Sequence, residues 1–129
     1  METEIIRIEQ GREGFTEAEE QALLRAGRII KEGGLVAFPT ETVYGLGGDA
    51  LNPGSSRKIY ASKGRPSDNP LIVHICRFKD IYAIARRVPE AAVKLAEAFW
   101  PGPLTMILPR SERVPLETTG GLDTVAVRL

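Results

Sequence analysis

Cysteine and histidine are nearly absent from this sequence, which holds Cys76 and His74 as its single examples of each. One cysteine allows no intrachain disulfide. A zinc site needs several Cys or His ligands, so no metal-ligating set is expected. Net charge is also missing: Lys+Arg and Asp+Glu both number 17. A protein whose main task is to coat nucleic acid is normally basic, so the balance argues against that class and leaves room only for a local basic patch. No apolar run is long enough to span a bilayer. The acidic opening, Met1-Glu2-Thr3-Glu4, is followed by no long apolar stretch, so no signal peptide and no membrane partner are expected, and the expected location is cytoplasmic. No Walker A pattern, internal repeat, low-complexity tract or interdomain linker is present.

What remains is an ordinary globular composition, 43% hydrophobic and 26% charged over 129 residues. That length fits one domain over 1–129. Glu4 to Glu9 alternates loosely and reads as an edge strand. Thr16-Glu17-Ala18-Glu19 has the form of a capping box. Behind it Ala22, Leu23, Ala26, Ile29 and Ile30 recur at helical spacing, and Gly33 is a natural stop. Leu35–Phe38 and Leu71–Ile75 read as buried strands, each a short continuous apolar run. Thr40–Asn52 reads as a shaped loop, Ser55–Ser62 as a short helix and Lys63–Pro70 as a polar loop. Phe78–Val88 and Pro89–Phe99 read as two helices. Trp100-Pro101-Gly102-Pro103 is a break that reads as a packing corner. Leu104–Leu108 and Thr124–Leu129 are two further strands. Strands alternating with helices predict an α/β (α+β) fold with a mixed sheet and flanking helices. Ligands in such sheets sit in loops at strand ends, which directs attention to Thr40–Asn52 and Lys63–Pro70.

Several residues carry chemistry. Gly45-Leu46-Gly47-Gly48-Asp49-Ala50 matches the dinucleotide pattern, but Thr40 to Tyr44 intervene after the preceding strand and Asn52-Pro53-Gly54 breaks any helix. Glycines allowing a tight turn are the better account. Lys63-Gly64-Arg65-Pro66 sets two cations on a proline-stiffened loop, where they could grip phosphate or form a solvated basic turn. Asn69 can donate and accept hydrogen bonds. His74 faces opposite to Val73 and Ile75 by alternation, either as a bonded core histidine or as a polar contact in a cleft. Cys76 reads as an inert buried thiol. Thr40, Glu41, Thr42 and Tyr44 place hydroxyls and a carboxylate directly after a strand, suited to a small polar ligand or to capping a turn.

Four segments in register carry a resemblance: Phe38–Gly47, Lys63-Gly64-Arg65-Pro66 with Asn69-Pro70-Leu71 and His74, Trp100–Thr105, and Gly121–Arg128. From about Gly33 to Leu129 the chain resembles the YrdC/Sua5 family, the L-threonylcarbamoyladenylate synthases. The resemblance implies a twisted open mixed sheet and a reaction. L-threonine, bicarbonate (or CO2) and ATP, with Mg2+ as cofactor, give threonylcarbamoyl-AMP and pyrophosphate. Separate transfer proteins then use the product to make N6-threonylcarbamoyladenosine in ANN-decoding tRNAs. By resemblance, threonine contacts fall on Thr42, His74 and Arg128. ATP contacts fall on Lys63, Arg65, Asn69 and Thr124, with Lys63 and Arg65 as the catalytic cations.

The family's domain continues past the Arg128 strand, so the chain is expected to be the front portion of a domain. If this is the whole product, a terminal carboxylate on Leu129 is expected to compete for Arg128. Three other readings stand beside this one. They are a double-stranded RNA or tRNA-binding module, a carbamoyl-transfer module of the kind found in hydrogenase maturation, and an inactive truncated remnant.

Overall fold

A computed structural model describes residues 2–129. The capping box starts the first helix, α1 (Glu17–Lys31). Thr16 Oγ1 accepts the Glu19 N–H at 3.2 Å, and Glu19 Oε2 accepts the Thr16 N–H at 3.0 Å. Arg12 adds a guanidinium contact to Glu19 at 2.7 Å. The helix stops at Gly33, whose φ of +91° is open to glycine at little cost. The expected edge strand over Glu4–Glu9 is absent. Ile6 and Ile8 turn partly inward, but no strand among the described residues lies alongside to accept a ladder. Glu4 instead pairs with Arg25, and Glu9 with Arg12.

Strand β1 (Val36–Phe38) pairs antiparallel with β2 (Gly45–Gly47), in the register Phe38↔Gly45 and Val36↔Gly47. β2 lies inside the segment read as a loop. Glycine has little strand preference, and here it serves another end. A Cβ on Gly47 would sit 2.6 Å from Phe38 Cε1, so the bare backbone lets the phenyl ring lie across the strand. β1 is half-buried with Ala37 exposed, not fully buried as its apolar run implied. Residues 45–50 form a strand and turn instead of a strand-to-helix phosphate loop.

Helix α2 (Pro53–Lys63) follows, with Asn52 accepting the Gly54 N–H at 2.9 Å and Gly64 ending it at φ +59°. A second sheet holds β3 (Ile72–His74), β4 (Met106–Pro109) and β5 (Thr124–Arg128) in the order β3-β5-β4. β5 is central, parallel to β3 and antiparallel to β4. The fold class is thus mixed α/β with flanking helices, its strands divided between two sheets.

The predicted Phe78–Val88 helix divides into a 3-10 turn at Phe78–Asp80 and a four-residue α3 (Ile81–Ile84). The chain leaves the helix because its backbone is claimed elsewhere: Arg86 N–H donates to Pro109 O at 2.9 Å, and Ser111 N–H to Ile84 O at 2.8 Å. α4 (Glu90–Phe99) presents Ala92 and Ala96, one turn apart, to the core. Trp100 forms the corner after it, donating Nε1–H to Leu104 O at 2.7 Å.

Side chains alternate cleanly in the three-stranded sheet. Val73, Val125, Val127, Met106 and Leu108 face the core with Ile81, Ile84, Val114 and α4. The residues between them face the other way. Ile72 and Ile107 both oppose Ala126 across the strands, and His74 opposes Arg128. This second face is open: Ile72 is 42% and Ile107 71% exposed. β3 is therefore a half-buried strand and not the fully buried one that its apolar run suggested.

Candidate functional site

The open face of the β3-β5-β4 sheet carries three of the residues singled out above. Thr124, Ala126 and Arg128 lie along it on β5, and His74 lies beside Arg128 on β3. His74 is exposed, so the buried-core reading does not hold. Its ring meets Phe38 edge-on at 6.0 Å between centroids, which brings the β1–β2 sheet next to this end of the face. Its Nδ1 lies 3.2 Å from Ile72 O.

The loop after β1 reaches the same point. Thr40 Oγ1 accepts the N–H groups of Thr42 and Val43 at 3.2 Å each, folding the loop into a turn on its own side chain. The turn presents Glu41 to Arg128. Arg128 Nη1 donates to Glu41 Oε1 at 2.8 Å, and Arg128 Nε donates to Thr105 Oγ1 at 3.0 Å. Thr42 adjoins this pair, with its Oγ1 3.3 Å from Thr40 Oγ1. His74 and Arg128 thus lie side by side at one end of the sheet face, and the turn that holds Thr42 reaches this end through the Glu41–Arg128 contact. Arg128 is engaged by Glu41, and Leu129 O accepts the Gly102 N–H at 2.9 Å.

The basic loop approaches from α2. A cleft of about 510 Å³ runs between the Gly45–Leu51 segment, α2 and β3, with Lys63, Arg65, Ile72 and His74 in its wall. Lys63 is exposed at the end of α2. Arg65 is half-buried, and its Nη2 donates to Pro70 O at 3.2 Å. Thr42, Asn69, Thr124 and Arg128 lie outside the wall of that cleft. Thr124 sits four residues from Arg128, about 13 Å along the strand.

Asn69 is exposed on a braced loop. The Tyr60 hydroxyl donates to Asn69 O at 2.8 Å, and Leu71 N–H donates to Thr118 O at 3.1 Å. Burial pushes the pKa of the Tyr60 hydroxyl above its usual value, keeping it a donor. Gly120, at φ +64°, packs against the loop so closely that a Cβ would lie 2.8 Å from Asp68 O. Behind it the buried Thr118 hydroxyl bonds Ser56 Oγ and Ala50 O, both at 2.7 Å.

Cys76 is exposed, contrary to the buried thiol expected. It lies two residues past the end of β3, in a bend that turns it to solvent. Its Sγ donates to Asp80 Oδ2 at 3.6 Å. The Arg77 guanidinium holds the Asp80 carboxyl below the ordinary carboxylate range. Sequence reasoning singled out Glu41 only as a carboxylate near a strand end and gave Thr105 no role, so neither contact with Arg128 was expected. Each residue lies inside a motif already singled out, but their bonds to Arg128 span 87 and 23 residues. No local spacing reveals such partners.

The fold is that of a mixed α/β protein with one open sheet face, beside which lie a hydroxyl-rich turn and a basic loop. Residues 28–129 match the Sua5/yciO/yrdC family profile, described as Telomere recombination, and the chain belongs to that family. The threonylcarbamoyl-AMP synthase of Pyrococcus abyssi is 57% identical over 111 residues, covering 86% of this chain and 33% of that protein. The threonylcarbamoyl-AMP synthase of Bacillus subtilis is 48% identical over 108 residues, covering 83% and 31%. The chain therefore spans about a third of the length of these relatives. The crystal structure of P. abyssi Sua5 complexed with L-threonine superposes with a TM-score of 0.83 at 55% identity, over 91% of this chain and 34% of that one. The Escherichia coli YciO structure shares the fold, with a TM-score of 0.73 at 21% identity.

Proposed function

We propose that this chain provides the amino-acid and nucleotide binding face of an L-threonylcarbamoyladenylate synthase. The observation that carries the reading is the convergence of the Thr40–Tyr44 turn, His74 and Arg128 at one end of the open sheet face. The P. abyssi relative solved with L-threonine supports threonine as the ligand.

In this reading Arg128 pairs with the threonine carboxylate, and Thr42 and His74 hydrogen-bond its remaining polar groups. The amine takes up CO2, from bicarbonate, to form a carbamate. A carbamate oxygen attacks the α-phosphorus of ATP, and pyrophosphate leaves. Phosphoryl-type transfer of this kind depends on positioning and charge neutralisation, so no side-chain nucleophile is required. Lys63 and Arg65 supply positive charge to the phosphates, while Asn69 and Thr124 hold the nucleotide. The 13 Å or so between Arg128 and Thr124 leaves room for an amino acid placed beside a nucleotide. Mg2+ would travel with the triphosphate, whose oxygens suit its preference for hard ligands. The product would pass to separate proteins that modify tRNA.

The test is pyrophosphate release from ATP by the purified chain, with and without threonine and bicarbonate. It is repeated on a version extended to the full length of the relatives. Release that requires both co-substrates in the extended protein is the expected result. Release indifferent to threonine in both proteins rejects the proposal.

A further inference from the structure

The contact between Glu41 and Arg128 bears on which ligands this site accepts. Two of the three guanidinium nitrogens are engaged, Nη1 by Glu41 and Nε by Thr105. The Glu41 and Arg128 side chains are 39% and 22% exposed, so water reaches the pair. An ion pair open to solvent contributes little stability and is readily parted. The carboxylate is also held in place: Glu41 sits at the head of the turn that Thr40 folds around its own hydroxyl.

We infer that Glu41 is a specificity-determining residue, which accepts the ammonium group of an α-amino acid whose carboxylate binds Arg128. This rests on the reading of Arg128 as the carboxylate partner. A zwitterion carries its two charges a few ångströms apart, on the scale of the 2.8 Å contact it would replace. Its insertion exchanges one ion pair for two and leaves the local charge balanced. A ligand with a carboxylate and no ammonium must part Arg128 from Glu41, and it then leaves Glu41 unpaired beside a second anion. Like charges so placed repel, so such a ligand is selected against. The pair thereby reserves an arginine that would otherwise take any small carboxylate.

The experiment compares L-threonine with 2,3-dihydroxybutanoate, which keeps the carboxylate and side chain and has a hydroxyl in place of the ammonium. Both are titrated calorimetrically against the unaltered chain, Glu41→Gln and Glu41→Asp. Circular dichroism confirms that the variants fold. The unaltered chain is expected to prefer threonine, and Glu41→Gln to narrow that preference by about tenfold. Glu41→Asp, which keeps the carboxylate, retains a preference above that of Glu41→Gln. If Glu41 merely orients Arg128, both ligands weaken together in Glu41→Gln and the ratio holds, which overturns the inference while threonine binding stands. Failure of the unaltered chain to bind threonine removes the reading of Arg128 and the role of Glu41 with it.

Discussion

Arg128 occupies the point where two backbone segments and one long-range side-chain contact meet. Its strand register sets it beside His74, and the Glu41 bond draws the turn after β1 across to it. If Arg128 binds the threonine carboxylate, truncating it removes a charged partner that no neighbour replaces. Arg128→Ala should then weaken threonine binding by at least about 2 kcal/mol, roughly thirtyfold. A calorimetric titration giving near-normal affinity for that variant would reject the assignment. Single residues also show where sequence reading succeeds. His74 was legible because strand alternation is a local rule, and Val73 and Ile75 on either side fixed its direction. Glu41 was visible as a carboxylate near a strand end, but its partner lies 87 residues away and depends on how the two sheets meet. Cys76 misled because free cysteines are usually buried, and nothing beside it in sequence reveals that the chain bends into solvent after β3.

Elements were legible in proportion to how local their causes are. The start of α1 was readable from four residues, since the capping box is a short-range motif whose two hydrogen bonds both form. β2 was not readable, because Gly45, Leu46 and Gly47 form a strand to accommodate Phe38, and that demand arises in β1. α3 was overextended because nothing near Ile84 in sequence reveals that Arg86 will bond to Pro109.

The capping box supports a prediction at this scale. The Arg12 guanidinium, and then the Thr16 N–H, hold the Glu19 carboxyl below the ordinary carboxylate range. A depressed folded value means that the stabilisation is complete above the unfolded chain's ordinary value and is lost as pH falls through the folded one. The first turn of α1 should therefore loosen on acidification below about pH 4, near the unperturbed Glu value. Amide exchange at residues 16–20, followed by NMR, should rise there. Glu19→Gln should show little of that pH dependence, and Thr16→Ala should cost the helix about 1 kcal/mol at neutral pH. An unchanged acid response in Glu19→Gln would show that another group is responsible.

Across the whole molecule, stability and the candidate site draw on opposite faces of one sheet. Val73, Val125, Val127, Met106 and Leu108 pack into the core, and the alternate residues Thr124, Arg128 and His74 are left to the open face. α1 stands apart from this arrangement. It has an apolar stripe but buries no residue fully, and Leu24 is 61% exposed. Helices held mainly by their own hydrogen bonds open at low cost, while a central strand bonded on both sides opens only with the sheet. Native-state hydrogen exchange should accordingly place β5 amides among the most protected and α1 amides among the least. Ile81→Ala, at a side chain with 0% exposure, should lower β5 protection by about 2–5 kcal/mol. Leu23→Ser with Leu24→Ser should leave β5 protection within about 0.5 kcal/mol, because those side chains touch no part of its core. Should the α1 amides prove as protected as those of β5, the helix and sheet would have to open together, and the division of labour between the two would be wrong.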